Sequence, residues 1–135
     1  MASQAVRSVG GTFLTRVLEV NATVTGILGV AITVGFQPLA AAFGLHPTFL
    51  LVIGIICLLT AAAVAWLLAT GRAGNQFALI LASSEVVWVV LSFAALGFGW
   101  LTPTPLGWWV VALQADVYAI FAALEFYVVR KARGR

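Results

Sequence analysis

Two long stretches of the chain carry no formal charge and are almost continuously apolar. The first runs from Val20 to Gly71 and the second from Val86 to Ala115. The hydrocarbon core of a membrane is about 30 Å thick, and a helix needs about 20 residues to cross it. Both stretches are therefore long enough for membrane helices, and they lack the alternation of apolar and polar residues that membrane β-barrels show.

Clusters of glycine, proline and polar residues divide these stretches, and such clusters mark turns between helices. The breaks fall at Gln37 to Pro47, at Gly71 to Asn75 and at Gly97 to Gly107. The pattern predicts an all-α fold, a transmembrane four-helix bundle with up-down-up-down topology that forms a single transmembrane domain over residues 1–135. The predicted spans lie near residues 12–36, 47–70, 76–98 and 106–129, with short cytoplasmic tails at 1–11 and 130–135.

Composition and charge agree with a membrane location. Of the 135 residues, 63% are hydrophobic and 8% are charged, and the mean hydropathy of +1.12 lies outside the usual range of soluble proteins. Because cationic segments stay on the cytoplasmic side, the basic residues predict that both termini are cytoplasmic, and the net charge of +3 needs no nucleic-acid partner. The basic residues are Arg7, Arg16, Arg72, Arg130, Lys131, Arg133 and Arg135.

Acidic residues are placed deep inside two of the predicted spans. Glu85 is ten residues past Asn75, and Asp116 is ten past Leu106, so each lies about 15 Å from its own interface. An ionised carboxylate at that depth costs about 2.5 to 3.5 kcal/mol. We therefore predict that Glu85 and Asp116 share a proton and form a proton- or cation-binding pair, assisted by Glu19.

A purely structural interpretation is open for each acid. The two deep acids would stay protonated, bond to each other or to Ser92, and fix the packing of spans three and four. Glu19 would form an ion pair with Arg16, one helical turn away, and Glu125 would pair with the basic C-terminal tail.

Small residues share the helix faces of these acids. Small faces let membrane helices approach closely, so we expect these faces to turn into the bundle. By helical phase, the small residues are Ala112, Ala119 and Ala123 beside Asp116, Ala78, Ser92 and Gly99 beside Glu85, and Thr12, Thr15, Thr23, Gly26 and Thr33 beside Glu19.

Four further side chains are predicted to line a ligand site beside the acids. Trp88 lies near the middle of span three, where its ring offers a face on which a cationic or aromatic ligand can stack. The other three are Asn21, Ser92 and Tyr118.

Span four has a second polar face. Gln114, Tyr118 and Glu125 lie on the side of this helix opposite Asp116. A helix with polar groups on both sides needs partners for both, so this face is predicted to meet a bound molecule or a partner subunit. The expected assembly is a homo-oligomer or a larger membrane complex.

The chain offers little for catalysis or metal binding. It has one His and one Cys, whereas zinc and haem sites need several such ligands. We therefore predict that the protein is not an enzyme, has no catalytic or metal-binding residue, and holds no cofactor beyond bound lipid.

Three segments carry a resemblance to known proteins: LEVNATVTGILG, SSEVVWVVLS and LQADVYAIFAALEFYVVRK. With these segments the chain resembles small, uncharacterised bacterial four-span proteins, which implies a bacterial inner (plasma) membrane location but no established activity. The chain is also superficially similar to small multidrug exporters, whose Glu in span one would correspond to Glu19. Their Gly-Pro pattern in later spans is missing here, so none of their functional residues is transferred.

Two functions fit these features. The first is a small proton- or cation-coupled carrier or channel that uses buried carboxylates. The alternative is a non-catalytic accessory or scaffold subunit of a membrane complex, or a protein that binds lipid, quinone or pigment.

Overall fold

The computed structural model of the protein describes residues 2–133, with side-chain positions from Phe13 to Ala132. The described residues are almost entirely helical, and no strand occurs among them. The all-α prediction is therefore confirmed for this part of the chain. The helices are α1 (Ala2–Val34), α2 (Phe36–Phe43), α3 (Pro47–Ala69), α4 (Asn75–Gly97) and α5 (Pro105–Arg133).

Four of these helices are long and apolar enough to cross a membrane. Each candidate span has at least 22 residues, which exceeds the 20 or so that a crossing needs. The prediction of four apolar spans is thus confirmed. The candidate spans are Phe13–Val34, Pro47–Ala69, Asn75–Gly97 and Pro105–Ala132.

A short helix, α2, occupies the connection that the sequence pattern predicted as a simple break. Pro38 lies in its first turn, where backbone N–H groups have no partner within the helix and a proline is tolerated. The helix stops at Gly44, whose φ of 69° is the left-handed conformation that ends many helices. The proline therefore marks a helix start here, which the pattern alone did not distinguish from a turn.

The bundle consists of two helix pairs that lie side by side. α1 packs along α3, α4 packs along α5, and contacts between α1 and α5 join the pairs. Glycines bring α1 and α3 close together. A Cβ on Gly29 would lie 2.9 Å from Leu58 Cγ, and a Cβ on Gly54 would lie 2.6 Å from Thr33 Oγ1. Both distances are too short for a real contact, so any side chain at these positions would push the helices apart.

Apolar side chains cover the outside of the bundle as well as its core. One core cluster joins all four long helices and includes Leu18, Val64, Leu81 and Val129. In an 18-residue segment of each candidate span, only 22% to 33% of the residues are buried, and many of the exposed ones are large aliphatic or aromatic side chains. An apolar perimeter of this extent suits lipid better than water, as expected of an integral membrane protein.

Candidate functional site: a buried carboxyl pair

Two carboxyl groups and one amide meet inside the bundle. Glu85 of α4 is 6% exposed, Glu125 of α5 is 0% exposed, and Asn21 of α1 is 1% exposed. The Asn21 Nδ2 group donates to Glu85 Oε2 at 2.7 Å and to Glu125 Oε2 at 3.3 Å. The two Oε2 atoms therefore accept from the same nitrogen. One amide thus bridges two acids that come from different helices.

Helical periodicity places these three residues on the inward faces of their helices. A spacing of three or four residues returns a helix to the same side, and each of the three continues such a series of buried positions. Their apolar members keep water away from the polar group. The buried residues in these series are Leu14, Leu18 and Thr25 on α1, Ala78, Ala82 and Ser92 on α4, and Ala115, Tyr118, Ala122 and Val129 on α5.

Two hydroxyl groups extend the bridge away from the acids. Thr25 Oγ1 donates to Asn21 Oδ1 at 3.1 Å and lies 2.6 Å from the Tyr118 hydroxyl. A threonine hydroxyl has one hydrogen. Because that hydrogen goes to Asn21, Tyr118 must be the donor to Thr25. The bond to Oδ1 also orients the amide, so that its NH₂ group faces the acids.

Each carboxyl group keeps one oxygen without a hydrogen-bond donor. Among the described residues, Oε1 of Glu85 and Oε1 of Glu125 are buried and have no partner. No Lys, Arg or His side chain in the described range lies within 4.0 Å of either acid. Two ionised carboxylates on one amide would repel each other with no cation to offset the repulsion. A single proton on either acid would remove one of the two charges, so this geometry suits a site for one proton.

A second polar cluster joins α4 to α5. Trp88 Nε1 donates to Gln114 Oε1 at 2.7 Å, and Gln114 Nε2 donates to Ser92 Oγ at 3.3 Å. Ser92 in turn donates to the backbone oxygen of Trp88 at 2.8 Å. Because each side-chain polar group has a partner, the cluster stabilises the contact between the two helices. The predicted role of Trp88 and Ser92 in lining a ligand site stays a prediction.

The predicted pairing of Glu85 with Asp116 is wrong. Asp116 lies on the exposed side of α5, and Glu125 is the acid that meets Glu85. Asp116 and Glu125 are nine residues apart, or half a turn in phase, so only one of them can face the bundle.

The prediction that the second polar face of span four meets a bound molecule or a partner subunit is wrong for the same reason. Tyr118 and Glu125 are buried and Gln114 is partly buried against α4, so this face is turned into the bundle and not toward a partner subunit.

The two shallower acids, Glu19 and Glu125, lie in different environments. The Glu19 side chain is 52% exposed, and its Oε2 lies 4.0 Å from Arg16 Nη1, so the ion-pair interpretation holds and Glu19 lies on the outer surface of the bundle. The corresponding interpretation of Glu125 is wrong, because this residue is buried and bonded to Asn21.

The small residues beside Glu19 and Asp116 mostly point outward, contrary to the prediction. Four of the seven whose side chains are described are exposed, as are both acids, and Thr12 lies outside the described side chains. The prediction holds better on α4, where Ala78 and Ser92 are buried with Glu85, although Gly99 is exposed. Small size alone therefore did not indicate which side of a helix faces the bundle. The exposed small residues are Thr15, Thr23, Ala119 and Ala123.

Sequence reasoning found part of this site. It singled out Asn21, Glu85 and Tyr118, all of which are buried in the network, but it missed Thr25 and the partnership of Glu125 with Glu85. Thr25 lies one turn after Asn21, and Glu125 lies two turns after Tyr118. Helical phase relative to Asn21 was therefore the signal that would have found Thr25, whereas phase had already grouped Glu125 with Tyr118 and could not show which side faces Glu85.

Comparisons with protein-family models, with curated proteins and with solved structures give no match. The resemblance to small bacterial four-span proteins therefore stays a prediction. In the described part of the chain, no group of three or more His, Cys, Asp or Glu side chains is placed to hold a metal ion. The case for a function consequently depends on the geometry of the carboxyl pair.

Proposed function

We propose that the protein spans a bacterial inner membrane four times, with both termini cytoplasmic, and that the Glu85–Glu125 pair carries protons through the bundle. Four long apolar helices support the membrane placement. Short connections between consecutive spans favour up-down crossing. The seven Lys and Arg residues then all lie in cytoplasmic segments or close to the cytoplasmic interface, as the positive-inside rule requires.

The observation that carries the proposal is that two buried acids share one amide donor and that each has an oxygen without a donor. Asn21 is eight residues past Phe13, and Glu85 is ten past Asn75, so the site would lie about 12 to 15 Å from the proposed cytoplasmic ends of these spans. Acids at such depth are costly, and they characterise proton relays and ion pathways. A pair that holds one proton carries one negative charge instead of two, which lowers the cost of burying it.

The bridging amide favours a proton over a metal cation as the transported species. The Asn21 NH₂ group points at both acids, so a hydrogen-bond donor occupies the position that a cation would need. Cations such as Na⁺ and Ca²⁺ are bound by oxygen atoms. The Asn21 oxygen faces away from the pair, toward Thr25.

The surroundings of the pair differ on its two sides. Thr25 lies one turn farther than Asn21 from the cytoplasmic end of α1, so the hydroxyls of Thr25 and Tyr118 lie on the outer side of the pair. Hydroxyl groups donate and accept at once, which suits the exchange of protons with the outer half of the bundle. On the cytoplasmic side lies an apolar cluster that includes Leu14 and Val128, and on the outer side a second apolar cluster surrounds Tyr118. Apolar side chains on both sides of the pair favour a carrier that changes conformation over a continuously open channel.

Proton flux into liposomes tests the proposal. Purified protein is reconstituted with an interior pH dye, and a potassium diffusion potential drives protons inward. We expect Glu85→Gln and Glu125→Gln each to reduce the flux at least tenfold, because a glutamine amide cannot release a proton. The matched control is Glu19→Gln, which removes a carboxylate at the exposed surface and should retain the flux.

Two results would contradict the proposal. One is a wild-type flux no higher than that of empty liposomes. The other is full flux in both pair variants when circular dichroism and gel filtration show that they are folded.

The alternative function, an accessory subunit of a larger membrane complex, is supported by a separate observation. Asp116 lies on the exposed side of α5, where a carboxylate that has no partner is unfavourable in lipid. This observation concerns the outer surface of the bundle and is compatible with proton transfer in its interior.

A further inference from the structure

We propose that the exposed face of α5 around Asp116 binds a membrane helix of another protein, and that this helix carries a Lys or Arg at the depth of Asp116. The inference rests on the proposed membrane placement but not on proton transfer by the Glu85–Glu125 pair. It assigns Asp116 to an interaction surface on the outside of the bundle.

The depth of Asp116 makes its exposure unusual. It is 11 residues past Pro105, the first residue of α5, and seven past Trp109, so it lies about 10 to 16 Å below the outer interface. On the cytoplasmic side of Asp116, the first basic residue of α5 is Arg130, 14 residues away. Lys and Arg have long side chains that reach the interface from inside a membrane. Asp has a single methylene group, so its carboxylate stays at the depth of its backbone.

Nothing within the described bundle satisfies this carboxylate. The described side chains provide it with no hydrogen bond and no ion pair, in contrast to Glu19, whose ion pair with Arg16 lies near the start of the first candidate span. The neighbours of Asp116 on the same face are apolar or small and also exposed. They are Leu113, Val117, Ala119, Ile120 and Ala123.

This face has the shape that a helix partner needs. Ala119 and Ala123 lie on one side of Asp116 and present little bulk, so another helix can approach the α5 backbone closely. Leu113 and Ile120 lie on the other side and provide apolar contact. A helix in this position would exclude lipid from the carboxylate and bring its own side chain within bonding distance.

Charge complementarity favours a basic partner from another protein over a second copy of this chain. All copies would insert with the same orientation because of their basic ends, so a symmetric dimer would place one Asp116 opposite another. The chain has no Lys or Arg at this depth to offer in any other arrangement. Its most deeply placed basic residue, Arg16, is three residues from Phe13, where the first candidate span begins. A cation at the depth of Asp116 must therefore come from a different membrane helix.

Fluorescence energy transfer in liposomes tests this inference with defined probes. The protein carries a donor dye at its C-terminus, and the acceptor is on a synthetic leucine-alanine helix with one central Arg. We expect wild-type protein to bind this helix at least tenfold more tightly than it binds a helix with Leu in place of Arg. Asp116→Leu and Asp116→Asn should abolish the preference, and Glu19→Gln, which removes a carboxylate elsewhere on the surface, should keep it.

A charge exchange makes the test specific for the pair. Asp116→Lys should prefer a synthetic helix with a central Glu over one with a central Arg. Equal binding of the Arg and Leu helices by folded wild-type protein would overturn the inference. So would self-association that depends on Asp116 and excludes the Arg helix, since a second copy would then occupy the face. Proton flux is measured on the same liposomes, so failure of this inference and failure of the proton proposal give different results.

Discussion

Replacing Asn21 and Glu85, separately and together, isolates the contact at the centre of the site. The bond from Asn21 Nδ2 to Glu85 Oε2 is 2.7 Å long and joins α1 to α4. The variants are Asn21→Ala, Glu85→Ala and the double variant. Each single replacement also changes the cavity and the desolvation of the remaining groups, but these contributions largely cancel in the coupling energy of the cycle.

The structure sets the size of the expected coupling. Hydrogen bonds between membrane helices contribute about 0.6 kcal/mol on average and about 1.7 kcal/mol at most in such cycles. The Asn21–Glu85 bond is short and both groups are nearly fully buried, so we expect about 1.5 kcal/mol, close to the upper limit. The bond from Asn21 to Glu125 is 3.3 Å long, and its cycle should give about half of that value.

The free energy of unfolding is measured by steric trapping in bicelles. The control cycle combines Asn21→Ala with Glu19→Ala, whose side chain faces outward, and should be additive within about 0.5 kcal/mol. A coupling between Asn21 and Glu85 no larger than this control would refute the proposed bridge. A larger coupling of Asn21 with Glu125 than with Glu85 would show that the Asn21–Glu125 bond is the stronger of the two, contrary to the prediction.

Two further predictions concern packing. Gly54→Ala should lower the free energy of unfolding by about 1 to 3 kcal/mol, because the new Cβ would lie 2.6 Å from Thr33 Oγ1 and 3.0 Å from Thr33 N. The control is Gly97→Ala, whose Cβ would have nothing within 4 Å and which should change the free energy of unfolding little. Equal effects of the two variants in steric trapping would contradict this packing. Gln114→Leu should move the indole N–H resonance of Trp88 upfield, because the 2.7 Å bond is lost, and the other indole resonances should stay in place; an unchanged Trp88 signal in ¹H–¹⁵N spectra would refute the bond.

The sequence by itself determined the class of the protein and its four apolar helices. Runs of more than 20 apolar residues leave few alternatives to membrane helices, because backbone polar groups must be satisfied within the segment in lipid. It also indicated Glu85 and Asn21 as unusual, since a polar group far from either end of an apolar helix needs a partner whichever way the helix is turned. The break at Gln37-Pro38 was less informative, because a proline is compatible with a turn and with the start of a helix such as α2.

Only the tertiary structure decided which acid joins Glu85. Periodicity shows that Asp116 and Glu125 lie on opposite sides of α5, but a single helix has no property that indicates which side faces its neighbours. Both sides contain alanines, so small size did not separate them. Packing against α1 and α4 determined how α5 is rotated about its own axis. Glu125 is turned toward Asn21, which donates a hydrogen bond to it, while Asp116 lies on the outside of the bundle. The relative angle of two residues on a helix is a local property, whereas the direction in which that helix faces depends on contacts with other helices.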